Sequence, residues 1–521
     1  MSEVNLPALA DEDEKKTTSA QEIDQALKEC GFGWFHVQQL CTTLVAFVSG
    51  VLVTSMTPYV LPIAECDLNM GLVQKGMLNA VPYVGMLVSS IIAGFLTDTF
   101  GRKFFLVSGY GGIFIFTVGA GFSQTYEVLL ITNLFSGMLF AAAFSATLTF
   151  TSEFCHSGIR DRVLLIQASF AASGHIVVAL MTWGILIQDW TDSFFGGYIV
   201  LHTWNYYILL MSLWSLLACI LYAFLPESPK YYITQNRYDE AREILIKIYK
   251  QNTGKPAETF PYINIWKEKV KQTIDETPEL KATLGQQLSN SLRNIKPMFK
   301  RPLCLYLILL SNMMFSTMIL YNIIRLWFPQ LSTIVEHYGV DDQDLCMMLD
   351  KYTADLRQRM VNVTSSTICV PEKSGTLTYV NSIILGCVCL VPYLVTGIVV
   401  NKVGKKNLLL IASTSSIAAT LGLRWSSSKV AMVGLFSLNA SVTQTMMSLI
   451  QATTIELFPT TTRTLAVSVM MTCGRIGSMV GNVTFPILLD IKCVIPFFTL
   501  AGLMVCLTLM SMLLPKKKKH Y

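Results

Sequence analysis

About twelve stretches of roughly 20 mostly apolar residues follow one another along this 521-residue chain, each long enough for a helix to cross a bilayer. That repetition constrains the fold more than any other feature. In hydrocarbon every backbone N–H and C=O must find its partner inside the chain, so uninterrupted stretches of this length can only be helices. An outer-membrane barrel is excluded, because its strands alternate in polarity over about 10 residues. With 52% hydrophobic and only 14% charged residues, and a mean hydropathy of +0.49, the chain has too little polar surface for a soluble protein of its size. The spans are expected at about 37–60, 74–97, 104–122, 127–150, 163–188, 202–225, 302–332, 376–400, 407–425, 429–454, 464–489 and 493–514.

The spans group as six plus six around a polar insert. This divides the chain into an acidic cytoplasmic tail (1–36), an N-terminal six-helix bundle (37–225), a cytoplasmic linker (226–301), a C-terminal six-helix bundle (302–514) and a basic cytoplasmic tail (515–521). Within the C-terminal bundle, residues 335–375 form a long extracellular or luminal loop. Residues 1–35 carry eight acidic and three basic side chains, the opposite of a cleavable signal peptide, so the first span is expected to act as its own insertion signal. With both termini cytoplasmic, the 39 Lys and Arg fall as 29 inside, 8 outside and 2 within spans, the asymmetry that the positive-inside rule requires.

In the linker, Ala241, Ile244, Leu245 and Ile248 recur at helical spacing among charges, which predicts an amphipathic helix lying at the membrane surface. The outer loop holds the sequon Asn362-Val363-Thr364, placed for glycosylation, whereas the sequons at Asn439 and Asn482 fall inside spans. Cys346 and Cys369 share that loop and are expected to pair in an oxidising compartment, with Cys66 and Cys493 near the same face.

The remaining cysteines are scattered without CxxC or Cys/His spacing, so no metal centre is implied. A GxxxxGK[ST] phosphate cradle does not occur, which argues against transport driven by ATP on this chain. The sequence points to no enzyme, no cofactor and no nucleic-acid partner.

One constant offset of 303 residues superposes marked positions of the two halves. Gly94, Gly101 and Lys103 map onto Gly397, Gly404 and Lys406, Arg102 onto Lys405, and Asp98 onto Asn401. The same shift carries Glu153, Arg160 and Gly174 onto Glu456, Arg463 and Gly477. A duplicated six-helix unit with a pseudo-two-fold axis along the membrane normal is the plan of a rocking transporter. The segment from Gly94 to Lys103, GFLTDTFGRK, resembles the GxLxDxxGRK signature of the major facilitator superfamily, and the resemblance extends over residues 36–514. CGFGWF before the first span, VLPIAECDLNM after it, PESPKYY after the sixth, LWFP in the seventh and IELFPTTTRTLAVS before the eleventh resemble the synaptic vesicle glycoprotein 2 branch, near the organic ion transporters. The resemblance implies an all-α membrane fold of twelve transmembrane helices in two pseudo-symmetric bundles. It also implies a cytoplasmic latch of Asp98, Arg102, Glu456 and Arg463, with Lys405, Lys406, Glu153 and Arg160 as its mirror image, and Gly94, Gly101 and Lys103 shaping the signature loop.

No Asp or Glu lies at lipid depth, so neither a midplane proton carrier nor a counter-charge for a cationic substrate is provided. Arg475, near the middle of the eleventh span, is the expected anion-binding residue, since an unpaired charge there implies a cavity or a substrate. Its GRIGS setting is similar to the ARVGS stretch of organic anion transporters. Asn133, Asn312, Asn322, Asn439 and Gln444 are the polar substrate-binding candidates beside it. Arg325, toward the outer end of the seventh span, is expected to snorkel to the interface, and His175 to be a hydrogen-bonded packing residue.

The expected function is transport of a small organic solute, neutral or anionic, by alternating access, in a monomer in contact with membrane lipid. The alternative is a vesicle-associated glycoprotein that keeps the transporter fold and acts in trafficking or protein binding. The expected location is the plasma membrane or an intracellular vesicle membrane.

Overall fold

Among the described residues, twelve helices of 19 residues or more account for the twelve apolar stretches, one for one. The computed structural model describes residues 21–235, 237–262, 265–266, 301, 303–338, 344–361, 375–426, 429–458 and 460–515. The N-terminal half contains α1 (Trp34–Ala64), α2 (Leu72–Phe100), α3 (Arg102–Gly121), α4 (Tyr126–Glu153), α5 (Ser157–Leu186) and α6 (Thr203–Phe224). Two linker helices follow, α7 (Pro229–Thr234) and α8 (Tyr238–Thr253). The C-terminal half contains α9 (Leu303–Tyr338), the loop helix α10 (Leu345–Val361), α11 (Thr376–Val403), α12 (Lys405–Arg424), α13 (Lys429–Leu457), α14 (Thr460–Ile491) and α15 (Val494–Met512). Among the described residues, nine of these helices are both long and apolar enough to cross a bilayer. Their outer faces leave Ile115, Phe224, Ile411 and Leu509 more than half exposed, an apolar surface that lipid covers and water would not tolerate. The chain is an integral, multi-pass membrane protein.

The buried side chains separate by half. One apolar cluster runs through α9–α15 with Leu72 as its member from the N-terminal half. Two others run through residues 23–266, with Leu326 and Tyr379 entering from the C-terminal half. Each half therefore has its own packed interior, and the surface between them is the place where sliding disrupts least packing.

The turn in the signature loop needs glycine at two repeat-related positions. Gly101 joins α2 to α3 with φ +92°, and Gly404 joins α11 to α12 with φ +85°. Side chains are disfavoured at such angles. At the outer end, where the helix ends also carry α10, β1 (Thr191–Phe194) and β2 (Ile199–His202) form a short antiparallel hairpin between α5 and α6.

The linker helix forms as its periodicity predicts, with Ala241, Ile244, Leu245 and Ile248 all buried on one face of α8. Its covering is protein instead of the membrane surface. Ile23, Ala26, Leu27 and Cys30, on the helical residues 21–30, belong to the same apolar cluster. Asn252 ties the arrangement together by donating to the carbonyls of Cys30 and Gly31 while accepting from the Phe35 N–H.

The disulfide expectation needs correction. Cys346 bonds to Cys493, 147 residues away at the α14–α15 junction, and not to Cys369. The outer loop folds locally into α10, which docks its first turns on that junction. Asp350, four residues after Cys346 and so on the same helix face, accepts from the Cys493 N–H, and Arg357 pairs with Asp490 at 3.0 Å. Cys66 is also disulfide-bonded. Cys369 and Asn362 lie outside the described residues.

Candidate functional site

Between the two halves lies a small cavity lined by α1, α5, α9, α11 and α13. Arg325 of α9 is part of its wall. The reason is helix length: α9 runs 36 residues to Tyr338, so Arg325 sits 13 residues, or about 20 Å at 1.5 Å per residue, below its outer end. The expected snorkelling to the interface is thereby overturned. The Nη1 of Arg325 donates to Ser55 Oγ at 3.1 Å and faces His175 Nε2 at 3.3 Å, while its Nη2 donates to Tyr83 Oη at 3.0 Å. A guanidinium only donates, so His175 must present a ring nitrogen lone pair to it. The guanidinium also lies over the Tyr321 ring at 5.3 Å.

The network continues across the midline. Tyr83 donates to Asn322 Oδ1 at 2.6 Å, and Asn322 Nδ2 donates to Ser478 Oγ at 2.7 Å. Of the residues expected to bind substrate, Gln444 lines the cavity and Asn322 joins this network. The others lie elsewhere. Asn439 bridges Ser416 and Thr420 between α12 and α13, a packing role. Asn312 is exposed and donates to the Ile308 carbonyl of its own helix. Asn133 is buried in α4.

Arg475 is at the expected depth but faces a different direction. It is half-buried and donates to the Met86 carbonyl at 3.4 Å in the seam between α14 and α2, and it is not among the cavity-lining residues. A backbone carbonyl of a neighbouring helix thus provides the partner that the sequence reading assigned to a substrate. Depth follows from position along the chain, whereas azimuth follows from packing.

At the inner ends of the helices, two of the described ion pairs repeat, one in each half. Arg102 Nε meets Glu153 Oε1 at 3.1 Å, and Lys405 Nζ meets Glu456 Oε2 at 2.8 Å, the same pair repeated at the offset of 303. Both pairs lie within one half, whereas the expected grouping of Arg102 with Glu456 also includes Asp98, whose side chain lies outside the described residues. Arg102 opens α3 and Glu153 ends α4, neighbours in one bundle, so the shortest path between opposite charges stays inside the half. Arg160 donates to the Cys155 carbonyl and approaches Asp24 at 3.6 Å. Lys406 donates to the Met512 and Leu514 carbonyls. Arg463 Nε is buried with no hydrogen-bond partner among the described residues. Gly94 and Asp98 lie in the last turns of α2, and the Asp98 side chain is outside the described residues.

Glu227 of the PESPKYY stretch accepts from the backbone N–H of Lys103 at 3.0 Å and of Ser228 at 2.9 Å, satisfying donors at the starts of α3 and α7. Burial pushes its carboxyl above the ordinary range against the pull of those hydrogen bonds. Burial, followed by nearby Arg160, lowers Lys230.

The outer end is built differently, and sequence reasoning missed its main element. Glu65, just past α1, and Lys75, in the first turn of α2, form an ion pair at 2.5 Å with Lys75 fully buried. Tyr352 of α10 closes over it, its hydroxyl 2.9 Å from Lys75 Nζ and 3.2 Å from Glu65 Oε2, and Gln330 of α9 donates to the same hydroxyl at 3.2 Å. The pair belongs to the N-terminal half and its cover to the C-terminal half. Opposite charges flanking the tight α1–α2 turn were the available signal; the tyrosine that completes the cluster lies 277 residues from Lys75.

Two six-helix bundles, each with its own core, facing one another across a polar-centred cavity define a transporter-type membrane fold. The chain belongs to the major facilitator superfamily. The family described as "Sugar (and other) transporter" matches residues 35–342, and the one described as "Major Facilitator Superfamily" matches residues 373–521. Human synaptic vesicle glycoprotein 2B is 25% identical over 334 residues, 61% of this chain and 48% of that protein. Rat synaptic vesicle glycoprotein 2A is 26% identical over 330 residues, 60% of this chain and 44% of its own length. The chain thus spans about half the length of the curated relatives it matches. In fold it is similar to the Escherichia coli xylose transporter XylE in its inward-open conformation (TM-score 0.64, 16% identity, 94% of this chain and 98% of that one). The partially occluded inward-open form gives a TM-score of 0.63 at 13% identity, with 93% and 100% of the two chains covered.

Proposed function

We propose that this protein moves a small organic solute across a membrane by alternating access. The observation that carries this reading is the cavity between the two separately packed halves, with polar groups of the N-terminal half turned toward one buried cation of the C-terminal half. Rocking of the halves exposes that site to one side and then the other, and each core moves as a unit. Both termini and the 226–301 linker face the cytoplasm in this reading, and the 335–375 loop faces outside or a vesicle lumen. Asn362→Gln should therefore remove a glycan-sized shift on a gel, and an unchanged mobility with cytoplasmic protease access to the loop would overturn the orientation.

The direct test is uptake by purified protein in proteoliposomes from a broad metabolite mixture, read by mass spectrometry. Time-dependent, saturable accumulation of one or a few solutes is the expected result. If folded, monodisperse protein accumulates none, the relationship to synaptic vesicle glycoproteins favours the second reading, a membrane glycoprotein that acts through its loops in vesicle trafficking.

A further inference from the structure

Among the described residues, Arg325 has no carboxylate to neutralise it. Its hydrogen-bond partners there, Ser55, His175 and Tyr83, are neutral, the ring of Tyr321 lies beneath it, and its Nε is buried without a hydrogen bond. The spans contain no Asp or Glu at lipid depth that could reach it. A buried cation held only by neutral acceptors retains much of its desolvation cost, and an incoming anion recovers it. The three hydrogen-bond partners share a second property: all come from the N-terminal half, whereas Arg325 belongs to α9 of the C-terminal half. The guanidinium therefore clasps the halves together.

We propose that Arg325 recognises the single carboxylate of an organic monoanion with an apolar body, and that this carboxylate, by taking over guanidinium donors from the N-terminal half, loosens the clasp. The inference rests on the transport reading of the same cavity. One charge is specified because Arg325 is the one Lys or Arg among the described lining residues. The apolar body follows from the rest of the wall, where Pro58, Leu326, Phe328, Pro329 and Leu385 line the same cavity. A sugar would need hydroxyl partners around its whole rim. Beyond the Arg325 network, the described lining offers Ser382, Gln444 and the hydroxyls of Tyr59 and Tyr321, which lie among apolar side chains. A planar carboxylate, in contrast, matches the guanidinium fork.

The test compares charge at constant shape. Purified full-length protein is challenged with benzoate, phenylacetate and hexanoate, and with their neutral amides, and thermal stabilisation is measured by intrinsic fluorescence. At least one acid should stabilise the wild type while its amide does not. Arg325→Gln should weaken the acid response by about tenfold or more, as expected for loss of a charge-assisted hydrogen bond, and Arg325→Lys should restore part of it. Equal responses to acids and amides, an acid response that survives Arg325→Gln, or no response to any acid overturns the proposal. The wild-type comparison of acid with amide stands even if a variant fails to fold. Binding is read apart from uptake, so the two readings separate. Acid-selective binding without uptake would leave the site and remove transport, whereas Arg325-independent uptake of a neutral solute would leave transport and remove the anion site.

Discussion

The two ends of the molecule use charge in opposite ways. At the inner end, Arg102–Glu153 and Lys405–Glu456 are repeat-related, partly exposed, and each confined to one half. At the outer end, Glu65–Lys75 has no counterpart among the described pairs, is buried, and is completed by Tyr352 from the other half. An exposed pair contributes about 0–1 kcal/mol, whereas removing one partner of a buried pair costs about 3–5 kcal/mol, because it strands the other charge. The inner pairs thus hold neighbouring helix ends together within each half. The outer cluster joins the two bodies and closes that end.

Charge removal at the outer cluster should have the largest effect. Lys75→Met strands Glu65 beneath Tyr352 and should lower thermal stability by about 3–5 kcal/mol while raising labelling of an engineered cysteine in the outer part of the cavity. Unchanged labelling would mean that the cluster is not the outer closure. Next in size is the Cys346–Cys493 bond, which anchors α10 to the C-terminal half. Cys346→Ala with Cys493→Ala should cost about 2–4 kcal/mol and make the 345–361 segment more accessible to protease, with Tyr352 losing its fixed place over Lys75. If protease sensitivity stays the same, the packing of α10 alone holds it.

The inner pairs should give little. Arg102→Ala and Lys405→Ala are each expected to change stability by about 1 kcal/mol or less, with the more exposed Lys405–Glu456 pair contributing less. A large increase in inner-side cysteine labelling in either variant would show instead that these residues join the halves in another state, as the sequence pattern suggested. The smallest effect concerns pH. Because burial raises the Glu227 carboxyl above its value in the unfolded chain, the folded state binds its proton more readily. The associated stability is present below the unfolded value and is lost as pH rises through the folded one. Glu227→Gln should flatten that part of the stability–pH curve between mildly acidic and neutral pH in a denaturant titration. An identical slope in wild type and variant would remove the assignment.

Much of the fold could be read in advance because it depends on local patterns. Runs of apolar residues specify helices wherever lipid leaves no other partner for the backbone, and all twelve formed. The periodic face of α8 was visible in the order of Ala241, Ile244, Leu245 and Ile248. What covered that face was not, since residues 21–30 are polar enough in sequence to pass for part of an acidic tail. The candidate site was harder. Arg475 and Arg325 are both single cations in apolar helices, and the sequence ranked them in the wrong order for cavity access. Arg475 could find a carbonyl on α2, and Arg325 was judged too shallow because the helix that carries it continues beyond the apolar run to Tyr338.

By itself, then, the sequence determined a twelve-helix membrane protein with an internal repeat, the repeated glycine turns at Gly101 and Gly404, and the residues available at each depth. Those properties follow from composition and spacing along one dimension. Only the tertiary structure decided that Arg325 enters the cavity while Arg475 turns into a seam, that Arg102 selects Glu153, that Cys346 selects Cys493, and that Tyr352 closes over Lys75. Each of these depends on rotation about a helix axis or on contact between distant segments, which the packing of whole helices sets and no local pattern records.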